Sequence, residues 1–196
     1  MKYIIVLVMF LQAWGLTGQD KIPAVDKSPL DVAYYPVTIP FRNFQKGDDR
    51  NISPKARLIY SRPQKKGRTI FGDLVPYGEV WRLGANEATE LNLFTPATFG
   101  SVKLNAGNYS LFAKVEQRQW TILISKDLYI WGHYNLDESK IIGQVVVPVK
   151  TLNEEQDAFT AYFSEGSSGG AMLNFLWEFV KVEVPISFSN GSANSK

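Results

Sequence analysis

The sequence predicts an all-β protein: a single antiparallel β-sandwich domain, jelly-roll-like in character. Three observations lead there. Apolar and polar residues alternate with a period of two in one run after another. Turn-forming clusters separate the runs by about 8–12 residues, the spacing of sandwich and barrel strands. No stretch keeps a helical period long enough for the crossover helices of a parallel sheet.

The chain of 196 residues opens with "MKYIIVLVMFLQAWGLTGQDK". One Lys, a short apolar run and then small residues have the layout of a secretory signal peptide. The run is shorter than the roughly 20 apolar residues a membrane span needs. Residues 1–18 are therefore expected to be removed, with cleavage after Gly18 or alternatively after Gly15, which leaves an exported, periplasmic or extracellular chain without a stable membrane span. Residues 19–50 read as a polar N-terminal arm, 51–188 as the sandwich, and 189–196, "SNGSANSK" to the end, as a disordered tail.

Within the sandwich, "ARLIYS" is the first strand, bounded by Pro54 and Pro63. "TELNLFT" sets Leu91 and Leu93 against Glu90 and Asn92. "NYSLFAKV" sets Tyr109, Leu111, Ala113 and Val115 against Ser110, Phe112 and Lys114. Trp120, Ile122 and Ile124 share a side in "QWTILIS", and Val145, Val147 and Val149 share one in "GQVVVPVK". "KTLNEEQDAF" reads as a short turn, followed by a strand with Phe159, Ala161 and Phe163 inward. "AMLNFLWE" and "FVKVEVPISF" read as further strands, the second with Val180, Val182, Val184 and Ile186 on one face. Pro148 and Pro185 lack a donor for a ladder, so they mark edges or bulges.

Composition narrows the function classes. There is no Cys, which removes disulfides, thiol catalysis, Cys-ligated zinc and a lipid anchor on Cys. An exported domain of this kind depends on its own apolar core, and aromatics at 13% supply large buried areas. A net charge of +2 argues against nucleic-acid binding, which needs a concentrated basic face. The local cluster "RPQKKGR" reads equally as a solvated turn or an anion site.

Motif chemistry is sparse. "GSSGG" fits the spacing of a nucleophile elbow around Ser168, but a strand follows where a helix is required, and the lone His lies upstream. A hairpin loop is expected there. One His without thiolates makes no zinc site, and no calcium loop or phosphate-binding glycine loop is present. No metal or cofactor is expected, and His133 reads as a satisfied loop residue. Sequons occur at Asn51, Asn108 and Asn190.

The block from Tyr60 to Thr89, "YSRPQKKGRTIFGDLVPYGEVWRLGANEAT", differs from the rest. It holds Arg62, Arg68, Trp81, Arg82, Asn86 and Glu87. Guanidinium forks pair with carboxylates or phosphates, a Trp face suits a sugar ring, and Asn and Glu fix hydroxyls. In a concavity these six residues would bind a small polar or anionic molecule, a glycan or a carboxylate. The same residues would equally serve a structural corner, with Arg82 paired to Glu87 or Glu178 and Trp81 plugging the sandwich. A further alternative is a glycan hydrolase using Glu87 and Glu178, whose carboxyls would then lie about 5–5.5 or 6.5–9.5 Å apart. A third is an interaction module presenting Tyr34, Tyr35, Phe41 and Phe44 along a sheet edge.

"YSRP", "GRTIFG", "LVPYGEVWRLGANEAT", "AGNYSLF", "QWTILI", "WGHY" and "LWE" together resemble the family called domain of unknown function 2911, across roughly Ile52 to Ile186. The resemblance implies an exported β-rich domain of the kind found in bacteria of the Bacteroidetes type. It marks Arg62, Arg68, Trp81, Arg82, Asn86 and Glu87 as motif positions and implies no activity. Many relatives carry Lys where this chain has Glu79.

Overall fold

The computed structural model describes residues 22–166 and 169–189. The expected signal segment, Ser168, the Asn190 sequon and the tail beyond Ser189 lie outside the described residues. The rest is an all-β sandwich of two antiparallel sheets. The larger sheet runs, in spatial order, through β1 (Leu30–Tyr35), β2 (Ala56–Ser61), β4 (Thr89–Leu93), β7 (Gly107–Val115), β8 (Gln119–Ser125) and β9 (Ile141–Pro148). A two-residue β3 (Val80–Trp81) also pairs with β7. The smaller sheet runs β10 (Lys150–Glu165), β11 (Ala171–Phe188), β5 (Ala97–Phe99) and β6 (Val102–Leu104). No helix among the described residues is long and apolar enough to cross a membrane.

Alternation places the core. Leu58 and Tyr60, Leu91 and Leu93, Tyr109 to Val115 at every second position, and Trp120, Ile122 and Ile124 are buried from the larger sheet. Phe159, Ala161 and Phe163 with Leu173, Phe175 and Trp177 meet them from the smaller one. Each fully buried side chain of this size contributes about 1.5–3 kcal/mol of burial free energy, so the fold needs no covalent link.

Three segments differ from the sequence expectation. Residues 150–158 are the first half of β10, not a turn; Lys150 pairs with Lys181 and Thr151 with Val180. This half lies at a sheet edge with most side chains exposed, so its composition resembles a loop. The two expected strands from Ala171 onward are one, β11. Its buried apolar positions are odd-numbered to Trp177 and even-numbered from Val182. The parity changes at Glu178, which has φ +51° and lies beside a register shift against β10. An extra residue in a strand swaps the faces of everything after it. Phe112, expected on the polar side, is fully buried apart from the main core.

The arm supplies β1, which pairs with β2 from Leu30–Ser61 to Tyr35–Ala56 and covers that edge. Tyr35 is buried, stacks on Phe188 with centroids 5.3 Å apart, and donates its hydroxyl to Glu165 Oε2 at 2.9 Å and Gly170 O at 3.0 Å. Burial, and then the Glu165 carboxylate, push its phenol up to about 12. The bond therefore survives throughout the neutral range. Phe41 and Phe44 face solvent.

Candidate functional site

Three irregular segments converge at one end of the sandwich: residues 62–79, 82–88 and 126–140. The middle one is the corner "RLGANEA". β3 and β4 lie end to end along the same side of β7, Trp81 opposite Ala113 and Thr89 opposite Leu111. The chain leaves the ladder between them, opposite Phe112. The corner is closed by Thr89 N–H donating to Arg82 O at 3.1 Å and Thr89 Oγ1 donating to Leu83 O at 2.5 Å. Leu83, Gly84 and Asn86 all have positive φ. Asn tolerates that region better than most residues, which accounts for its type at position 86. A Cβ on Gly84 would lie 2.9 Å from Ser61 O, so only Gly lets the corner rest on the end of β2. Gly84→Ala is accordingly expected to lower stability by about 1–3 kcal/mol, measured by denaturant unfolding; an unchanged midpoint would refute the close fit.

The corner is bound to the 126–140 segment by a short antiparallel pairing. Ala88 N–H donates to Ile130 O at 3.1 Å and Gly132 N–H to Asn86 O at 2.8 Å, with Glu87 opposite Trp131. The 62–79 segment is anchored by Ile70 and Phe71, whose side chains enter the core. Their N–H groups donate to Glu178 Oε1 at 3.1 Å and Oε2 at 3.3 Å. Glu178 is thus the acceptor for two backbone donors, and Lys65 Nζ stands 3.8 Å from it.

Where the segments meet there is a cavity of about 510 Å³. Arg68, Trp81 and Arg82 line it; Arg62, Asn86, Glu87 and Glu178 do not. Arg62 is instead a clamp between the sheets. Its Nη1 meets Asp31 Oδ2 at 3.0 Å, Nη2 donates to Thr160 Oγ1 at 3.0 Å, and Nε reaches Phe159 O at 3.4 Å. Trp81 contributes only part of its ring to the wall. It is 6% exposed, stacked on Trp177 at 5.8 Å and met edge-on by Phe71, Trp120 and Phe159, and its Nε1 donates to Gly84 O at 3.0 Å. Its faces are occupied by protein. Arg68 donates to the carbonyls of Lys65 and Gln64, closing the basic turn while its charge stays at the cavity.

Arg82 is different. Among the described residues it forms no ion pair, with neither Glu87 nor Glu178, and its buried Nε has no hydrogen-bond partner. His133, expected to be a satisfied loop residue, is not: its buried Nδ1 also lacks a partner. Both residues line the cavity, with Glu79 and Tyr134. Burial first, and the Arg82 charge second, hold the His133 imidazole below its ordinary range, while Glu79 pulls the other way. A buried polar group without a partner costs about 1–3 kcal/mol, and two such nitrogens belong to residues of one cavity wall. His133 and Tyr134 lie in the motif stretch "WGHY", but no local spacing ties them to this cavity; they reach it through the pairing of residues 86–88 with 130–132, while Glu79 lies just before β3. No cluster of three or more His, Asp or Glu residues able to hold a metal occurs among the described residues.

A family model described as "Protein of unknown function (DUF2911)" matches residues 48–186. No curated protein and no solved structure matches the chain.

Proposed function

The chain belongs to the DUF2911 family, and from that premise we propose that it is an exported binding protein holding a small polar or anionic ligand in the cavity at the end of the sandwich. Export is the reading of the N-terminal sequence, with its Lys, apolar run and small residues. One observation carries the binding reading: Arg82 and His133, from different loops, line the same cavity and each keeps a buried nitrogen without a partner among the described residues. Specific small-molecule sites are concave and mainly apolar, with a few convergent polar groups. Here Leu74, Val75, Pro76 and Trp177 supply the apolar wall, and the Arg82 guanidinium, the His133 imidazole and the Glu79 carboxylate the polar one.

The test is a thermal-shift screen of the purified protein against sugars, organic acids and phosphate. A ligand at about 100 times its Kd stabilises the folded state by roughly 2.7 kcal/mol, or about 5–10 °C for a chain of this size. Arg82→Gln is expected to abolish the shift and to leave the unliganded midpoint nearly unchanged, since Arg82 has no ion pair to lose. A shift that persists undiminished in this variant would place the ligand elsewhere. No shift with any compound would remove the binding reading.

A further inference from the structure

The composition of the cavity wall says more than that something binds. Arg82 carries a permanent charge and donates only. His133 donates through one nitrogen while neutral and through both when protonated. The groups facing its imidazole are Arg82 from the corner, Glu79 from the segment before β3, and the Tyr134 ring, whose centroid lies 4.6 Å away; Arg68 lines the same cavity. The two loops fit closely at Gly132, where a Cβ would lie 3.3 Å from Arg82 Nη1 and 2.9 Å from the Tyr134 ring. In the unliganded protein, burial and the neighbouring guanidinium disfavour the imidazolium. A negative charge placed beside Arg82 offsets that repulsion and favours the imidazolium.

The balance of charge selects the ligand. Arg68 already donates from Nε and Nη2 to backbone carbonyls, and Glu79 offsets one positive charge. What is left suits a single negative charge better than two. The volume, about 510 Å³, greatly exceeds one carboxylate, and the rest of the wall is Leu74, Val75, Pro76, Trp81 and Trp177. Resting on the reading of this cavity as a ligand site, we propose that the ligand is a monocarboxylate with an apolar or ring-shaped body, held by Arg82 and by a His133 that takes up one proton as the carboxylate enters.

Binding and protonation are then linked, and the sign follows. The bound state holds more protons than the free state over the interval between the free and bound titrations of His133, so affinity rises as pH falls through it, up to tenfold per pH unit. Above and below that interval it is flat. Because the chain has one His, its imidazole proton resonances report this titration directly, without a substitution.

The experiment uses benzoate and D-glucuronate as probes, with benzamide, D-glucose and inorganic phosphate beside them. Calorimetry in two buffers of different ionisation enthalpy counts protons, and proton NMR follows His133 with and without saturating probe. We expect benzoate or glucuronate to bind with up to one proton taken up, to move the His133 titration to higher pH, and to outbind the neutral analogues at least tenfold. His133→Gln should keep a pH-independent residual affinity. An unmoved His133 titration at saturation, no proton uptake anywhere below pH 7, or equal binding of benzamide or glucose overturns the proposal. If phosphate or glucose binds in an Arg82-dependent way while both carboxylates do not, the cavity remains a binding site and the carboxylate assignment falls. If nothing binds, both fall together.

Discussion

Replacing Trp81 by Ala is expected to remove about 3–5 kcal/mol of stability, the range for deleting a large buried aromatic side chain. For a chain of this size that lowers the unfolding midpoint by roughly 6–20 °C. The reason lies in where the side chain stands. Trp81 comes from the larger sheet, Trp177 and Phe159 from the smaller, Phe71 from the 62–79 segment, and all three touch its ring. A void there would separate both sheets and a loop at once, and packed interiors relax only partly around such voids. The lost Nε1 bond adds an unpaired Gly84 carbonyl inside the strained corner. Trp81→Phe retains most of the packing but not that bond and is expected to lose less, about 1–3 kcal/mol. Denaturant unfolding of the two variants checks the order. A loss below about 1 kcal/mol for Trp81→Ala would mean that the cluster is not the keystone of this end of the sandwich.

The sandwich was readable because most strands have one wetter face and one dry face, as in Trp120 to Ile124 and Val145 to Pro148. Reading failed where that asymmetry disappears. Residues 150–158 form an edge half-strand that is polar on both sides. β11 changes face at Glu178, so its two halves looked like separate strands. Phe112 is buried on the outer face of the sheet, where the corner leaves the ladder. The candidate site was readable by chemical type but not by partner. Arg62 and Arg82 look alike in sequence. Arg62 finds Asp31 and Thr160, and Arg82 finds no anion among the described residues. Partners 31 and 98 residues away leave no local trace. His133 illustrates the converse: its motif stretch "WGHY" carries no ligand-binding spacing, and it reaches the cavity because its loop pairs with residues 86–88.

Glu178→Ala is expected to cost about 2–4 kcal/mol, although the residue lies outside the cavity. Its carboxylate accepts the N–H groups of Ile70 and Phe71, both buried. Hydrogen bonds to a charged group contribute about 1.5–3 kcal/mol, and a buried donor left unpaired costs a comparable amount. Alanine also inherits φ +51° without any compensating contact. Glu178→Gly loses the same acceptor but tolerates that backbone angle, so it should be the more stable of the two by about 1 kcal/mol. If φ strain were irrelevant, the order would reverse, because glycine loses more conformational entropy on folding. The pair therefore separates the two roles of the residue, bulge former and backbone acceptor. The effect should extend to binding as well. Leu74, Val75 and Pro76 belong to the cavity wall and begin three residues after the second residue that Glu178 anchors. A variant that stays folded at 25 °C should bind any cavity ligand more weakly than the native protein, with Gly intermediate. Stability within 0.5 kcal/mol of the native value for Glu178→Ala would refute the anchoring role and leave the 62–79 segment held by its core side chains alone.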